Sequence, residues 1–219
     1  DGYREMLGMH VATAESNASC KGFFQDLKAR GLTGVFLITS DAHEGIQHAI
    51  SEVLPNASWQ RCRTHFAKNL YEKVPKTQWP MVSAMFQTIF QQPDATSTWA
   101  QAREVVDLLE PKFPHVAAYL EESLDEVLAF TAVPKPVWTK VWSNNPTERL
   151  NREIRRRTDV VGIFPNRESI IRLVGAVLAE QHDDWIQQKR YMSLTALEHT
   201  KHLMHHPGEH RDDHHQLTA

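Results

Sequence analysis

The stretch GVFLITSDAHEGIQHAISEVLPNASWQRCRTH, residues 34–65, decides the fold class. Gly34 to Ser40 is a short, nearly continuous apolar run of the kind that forms a buried strand. His43 to about Leu54 reads as a helix, ended by Pro55-Asn56. ASWQRC, residues 57–62, is a further short strand that leads into a helix starting near Thr64. Upstream, DGYREMLGMHVAT opens with a turn at Asp1-Gly2 and continues as a strand with Leu7, Met9 and Val11 on one face. A strand that follows a turn so directly implies a hairpin partner before it. Between the two lies a helix over Asn17 to Arg30, with Cys20, Phe23, Phe24 and Leu27 at helical spacing and Gly31 as its stop. Strand, helix, strand, helix, strand is an α/β layer pattern.

From Pro75 to about Pro136 the pattern changes. Apolar residues recur at helical spacing, as in Met81, Met85, Phe86 and Ile89 and then Val116, Leu120, Leu124 and Val127, with no strand-like run. An all-helical block is therefore inserted into an α/β domain. Beyond Trp138 and Trp142 a helix is expected from about Pro146 to Arg157, then a loop, VVGIFPN, then a long amphipathic helix from Arg167 to about Arg190. Its stripe of Ile171, Val174, Leu178 and Trp185 should pack on the core. There is no internal repeat.

At 219 residues with 41% hydrophobic content, the chain can hold one domain with a sizeable insertion and a real core. No apolar run reaches the length of a membrane span, and the opening residues lack the basic and apolar regions of a signal peptide, so a cytoplasmic location is expected. Cys20 and Cys62 are too few for a disulfide framework or, alone, for a closed zinc site. A net charge of −3 and a pI near 6.5 do not advertise a nucleic-acid binder. The average conceals a local excess, because RLNREIRRR, residues 149–157, holds five arginines against one glutamate. The end of the chain, from Glu198, carries seven of the 13 histidines with few apolar residues and reads as disordered.

Asp41 stands just past the carboxyl end of a buried strand, where ligands commonly sit in α/β sheets, although it could equally cap the next helix. Glu148 is also ambiguous. In SNNPTERLN, Asn145 suits the N-cap, Pro146 the first helical position, and Glu148 then completes a capping box. Yet Glu148, Arg152 and Arg155 share one helix face, which sets a carboxylate among guanidinium groups on a surface suited to phosphates. The same arginine run could be a solvated face. Cys62 and His65 have the two-residue gap of half a zinc site, or are a buried cysteine and a histidine at a helix start. His43 could support Asp41 or cap the helix.

Together, LGMHVATAES (7–16), RGLTGVFLITSDAHEGIQHAI (30–50), SWQRCRTHFAKNLYEKVP (58–75) and the segment 144–185 that begins NNPTERLNREIRRR resemble, in order and spacing, the core of Mutator-like bacterial insertion-sequence transposases. The similarity runs from Gly2 to about Arg190, and the combination is far more specific than any one segment. It implies a ribonuclease H-like α/β core, truncated at its N-terminal strands, with an all-helical insertion before the last catalytic helix. Residues 1–74 would be the first part of that core, 75–140 the insertion, 141–190 the C-terminal core helices and 191–219 a disordered histidine-rich tail.

The resemblance further implies an Asp, Asp, Glu triad that binds two Mg2+ or Mn2+ ions for cleavage and joining of DNA strands. Asp41 in TSDAHEG matches the second aspartate and Glu148 in NPTERLN the glutamate, both as catalytic and metal-binding residues. The first aspartate belongs to a strand before residue 1, so the chain alone is expected to be inactive. Arg149, Arg152, Arg155, Arg156 and Arg157 become the candidate DNA contacts. Cys62 and His65 match a pair typical of the group, structural or substrate-contacting. The expected partners are transposon ends and target DNA, with a homo-oligomer in the DNA complex, nucleoid-associated and away from membranes. The competing expectation is a DNA-binding remnant with no chemistry left.

Overall fold

The computed structural model describes residues 1–12 and 16–205. Helix α1, Asn17–Ala29, starts where the Ser16 side chain accepts the Ser19 amide, and Ser19 reciprocates. It closes at Gly31, whose φ of 101° lies in the left-handed region that glycine enters without strain. Strand β1, Leu37–Ser40, runs parallel to β2, Ser58–Arg61, with Leu37 opposite Ser58 and Ser40 opposite Arg61. Helix α2, Glu44–Val53, makes the crossover that parallel pairing requires. It packs on α1 through Gly45, where a Cβ would stand 3.0 Å from the Asn17 amide nitrogen, and through a Lys21–Glu52 ion pair of 2.7 Å.

Helix α3, Arg63–Glu72, leads into the helical block: α4 (Trp79–Ile89), α5 (Ala95–Leu109), α6 (Pro114–Glu122), α7 (Leu124–Val127) and α8 (Lys135–Val141). The larger core lies here and not under the sheet. Phe66, Phe86, Phe90, Phe130 and Trp138 form a chain of neighbouring rings with centroids 5.0 to 5.7 Å apart, all of them buried. At about 1.5–3 kcal/mol for each fully buried large side chain, this cluster is the main stabilising term. Gln60 ties it to the sheet. Wholly buried in β2, it donates to the Arg61 and Val127 carbonyls at 2.7 and 2.8 Å and accepts the Phe130 amide at 2.7 Å.

Helices α9 (Asn145–Val161) and α10 (Arg167–Gln187) return along the other side, around a second, small cluster of Leu150, Val177 and Leu178. Helix α9 runs one turn beyond Arg157 and takes in the first two residues of the expected loop, stopping at Gly162 with φ 73°. On α10, Val174 and Leu178 pack as expected, but Ile171 is exposed. No helix among the described residues is long and apolar enough to cross a membrane.

Two expectations need correction. Residues 1–12 form no strand, because a strand exists only through a ladder with a neighbour, and here the backbone polar groups go elsewhere. The Met6 amide donates to His182 Nδ1, the Leu7 carbonyl accepts from Arg30 and the Val11 carbonyl from Arg167. The segment is an extended strap whose Met6 and Met9 pack on the small cluster while Leu7 is exposed. The tail is also not irregular from residue 191. Helix α11 spans Leu194–His205, its start held by Ser193 Oγ accepting the Ala196 amide, with Ala196 and Leu203 buried. The rest of the tail expectation, residues 206–219, lies outside the described residues.

Candidate active site

The carboxyl ends of β1 and β2 and the first turn of α9 are stitched together by hydrogen bonds. The Cys62 amide donates to the Ser40 carbonyl at 2.6 Å, Thr39 Oγ1 to the Val141 carbonyl at 2.5 Å and the Arg63 amide to the Trp142 carbonyl at 2.8 Å. Cys62 Sγ donates to Asn144 Oδ1 at 2.7 Å and Thr64 Oγ1 to Asn145 Oδ1 at 3.1 Å. Asp41, which follows β1, and Glu148, 107 positions later (148 − 41) in the first turn of α9, are thus carried by chain segments that these bonds join.

Asp41 is exposed, and it does not cap α2: His43 holds the N-cap position, without a side-chain cap bond. Glu148 does not form the expected capping box. The helix begins one residue earlier, at Asn145, with Asn144 as its N-cap. Asn144 makes no side-chain cap bond because its amide is used otherwise, with Oδ1 accepting from Cys62 and Nδ2 donating to Glu148 Oε1 at 3.4 Å. His65 Nε2 stands 3.7 Å from the same Glu148 oxygen, within ion-pairing distance, and its buried Nδ1 has no hydrogen-bond partner among the described residues. Cys62 thus contacts Asn144, and His65 stands beside Glu148. Among the described residues, no group of three His, Cys, Asp or Glu side chains is arranged to hold a metal ion.

The arginine run divides in two. Arg156 and Arg157 bind Glu153 at 2.7 and 2.9 Å, and Arg157 also reaches Glu180 of α10 at 3.0 Å. These hydrogen bonds hold the Glu153 carboxyl well below the usual range, at about 2. Arg156 and Arg157 are therefore largely compensated, and Arg157 also braces α9 against α10. Arg149, Arg152 and Arg155 are exposed and have no carboxylate partner among the described residues. Behind the edge, Arg63 stacks over Phe90 and Trp142 at 4.5 and 4.7 Å, and burial lowers its guanidinium from the ordinary value.

Sequence reading passed over Asn144, Gln60 and Arg63. The signal for Asn144 was the Asn144-Asn145 doublet before Pro146, where either residue can cap the helix. For Gln60 it was a polar residue inside an apolar strand, which must find partners if buried.

The profile described as "Transposase, Mutator family" matches residues 1–188. The chain is 58% identical over 197 residues, 90% of its length, to the transposase for insertion sequence element IS1081 of Mycobacterium tuberculosis, covering 48% of that protein. It is 38% identical over 92% of its length to the ISRM5 transposase of Rhizobium meliloti, covering 51% of it. The IS256 transposase of transposon Tn4001 from Staphylococcus aureus is 38% identical over 87% of the chain, which covers 49% of that protein. The chain spans about half the length of these curated relatives. With the family profile matched over nearly all of its length, the chain belongs to the Mutator family of transposases.

Proposed function

We propose that the Asp41–Glu148 edge is part of the catalytic centre of an insertion-sequence transposase, which cleaves DNA strands at the element's ends and joins them to target DNA. The observation that carries this reading is the hydrogen-bonded junction between the ends of the parallel strands and the start of α9, the helix that bears Glu148 and the exposed Arg149, Arg152 and Arg155. Glu148 is oriented by Asn144 and His65, and Arg152 and Arg155 extend the same α9 face towards a phosphate backbone. Arg149 is the third DNA contact of the reading.

The donor set agrees with a hard divalent cation such as Mg2+ or Mn2+, since such ions prefer carboxylate oxygens, but it falls short in number. A pair of ions about 3.5–4 Å apart would activate the attacking oxygen and stabilise the leaving one. Asp41 and Glu148 would supply two of the ligands, with a third carboxylate from the part of the relatives' length that this chain does not span. The same reading takes the parallel pair as part of a ribonuclease H-like sheet interrupted by the helical block. In its support, β1 pairs on one side only among the described residues, and a hollow of about 360 Å3 lined by Phe23, Phe24 and Ile38 lies beside it. The protein would work as a homo-oligomer on paired ends, in the cytoplasm on nucleoid DNA.

The test is strand transfer of labelled transposon ends, comparing this chain with a longer protein that adds an upstream strand-borne aspartate. The longer protein is expected to join ends and this chain is not, while Asp41→Ala and Glu148→Ala in the longer protein abolish joining and leave end binding intact. Joining by the 219-residue chain, or by the longer Glu148→Ala protein, would overturn the assignment. The second reading is a DNA-binding remnant without chemistry, in which the exposed Arg149, Arg152 and Arg155 serve binding alone. It would be borne out by end binding with no joining from the longer protein.

A further inference from the structure

Beside the first two turns of α9 lies a polar pocket of about 460 Å3, a size suited to a small ligand. It is lined by Arg4, Trp142, Arg149, Trp185, Gln188 and Tyr191, among others, and no acidic residue among the described residues lines it. The strap builds one wall. The Gly2 carbonyl accepts the Tyr191 and Met192 amides at 2.8 and 3.0 Å, which pins Tyr191 opposite α10. This brings the Arg4 guanidinium between two rings, 4.5 Å from the Trp185 centroid and 4.4 Å from that of Tyr191. No salt bridge among the described residues involves Arg4, so its charge is uncompensated at an aromatic surface.

Each element of this wall has a use in recognising an unpaired nucleotide. Aromatic faces stack on any base, and guanidinium groups stack on bases and neutralise phosphate. The side-chain amides of Asn145, Gln181 and Gln188 offer both donors and acceptors for a base edge. A protein partner would more often be met by a mixed-sign rim, and a free anion has no need of three aromatic rings. We infer that this pocket takes a single unpaired nucleotide of DNA, stacked on Trp185 with its phosphate on Arg4 or Arg149, while Tyr191, whose ring already meets Arg4 and Lys140, holds Arg4 in place. The inference rests on the DNA reading above and adds to it a site for a base drawn out of the duplex. Asn145 and Arg149 line it from the helix that carries Glu148, so the unpaired nucleotide would lie next to the carboxylate edge.

The experiment uses the 219-residue chain with a thymine-rich single-stranded 16-mer and a blunt duplex, with one thymine of the single strand replaced by 5-iodouracil for photocrosslinking. Trp185→Ala and Tyr191→Ala are each expected to weaken single-strand binding about 5- to 150-fold. Trp185→Phe, which keeps a stacking ring, should restore most of it, and duplex binding should change less than twofold. The crosslink should map to Trp185, Tyr191 or Trp142 in the unaltered protein, a result that does not depend on how the variants fold. Unchanged single-strand affinity in both alanine variants, or a crosslink outside the pocket, overturns the inference. Binding of duplex without single strand overturns the pocket alone. Binding of neither overturns it together with the DNA reading.

Discussion

Replacing Gln60 by methionine tests whether the helical block holds the candidate edge through one buried side chain. Methionine keeps the length and nearly the volume of glutamine, so no large cavity opens. It removes all three hydrogen bonds and leaves the Val127 carbonyl and the Phe130 amide without their partner in a wholly buried setting. Each orphaned buried group costs about 1–3 kcal/mol, which gives about 2–6 kcal/mol for the pair. The Arg61 carbonyl adds little, since it belongs to the neighbouring residue at the strand end. The gain from an apolar side chain in place of an amide offsets about 1–2 kcal/mol. A net loss of about 1–4 kcal/mol follows, a large fraction of the roughly 5–15 kcal/mol of a stable domain. With an m-value of about 2 kcal/mol/M, the urea midpoint should fall by about 0.5–2 M. The assay is equilibrium urea unfolding followed by tryptophan fluorescence, with Gln87→Met on the exposed face of α4 as a control expected to lie within about 0.5 kcal/mol of the unaltered protein. A midpoint shift for Gln60→Met no larger than that control would refute the reasoning, because it would mean that the two backbone groups find other partners at no cost.

The folded-state pKa of Glu153, about 2, lies below its ordinary 4.5, so the stability it contributes is present above pH 4.5 and lost as pH falls towards 2. The difference in thermal midpoint between the unaltered protein and Glu153→Gln should shrink across that window, and a difference that stays constant would contradict the ion-pair account. Arg152→Ala and Arg155→Ala should each lower the salt slope of duplex DNA binding by about one unit, whereas Arg156→Ala, whose charge Glu153 already compensates, should change it by less. Equal effects at all three positions would show that the pairing to Glu153 opens on binding. Asn144→Ala in the longer protein should reduce strand transfer by about 10- to 100-fold without changing end binding, as expected for a residue that orients a ligand and does not touch DNA. Full activity would remove Asn144 from the site.

What the amino-acid sequence determined by itself are the features settled within a few residues. Ser16 and Gly31 bound α1, Pro55-Asn56 ends α2, and the apolar run before Asp41 makes β1, because capping, backbone restriction and local apolar density act over one or two turns of chain. The family was legible as well, since residues 30–75 and 144–185 each hold many specific side chains in order. What only the tertiary structure decided depends on partners far along the chain. Glu148 looked like a capping-box residue until Cys62, 82 positions before Asn144, engaged the Asn144 side chain and freed the carboxylate from helix capping. The five arginines looked equivalent until Glu153 and, across 23 positions, Glu180 compensated two of them. Residues 7–11 alternate like a strand, yet a strand is defined by its neighbour, and the groups that meet the backbone of residues 6–11 are the side chains of Arg30, Arg167 and His182. Gln60 shows the same limit: its three bonds join β2 to residues up to 70 positions away, and local pattern carries no information about which distant backbone groups will face a buried amide.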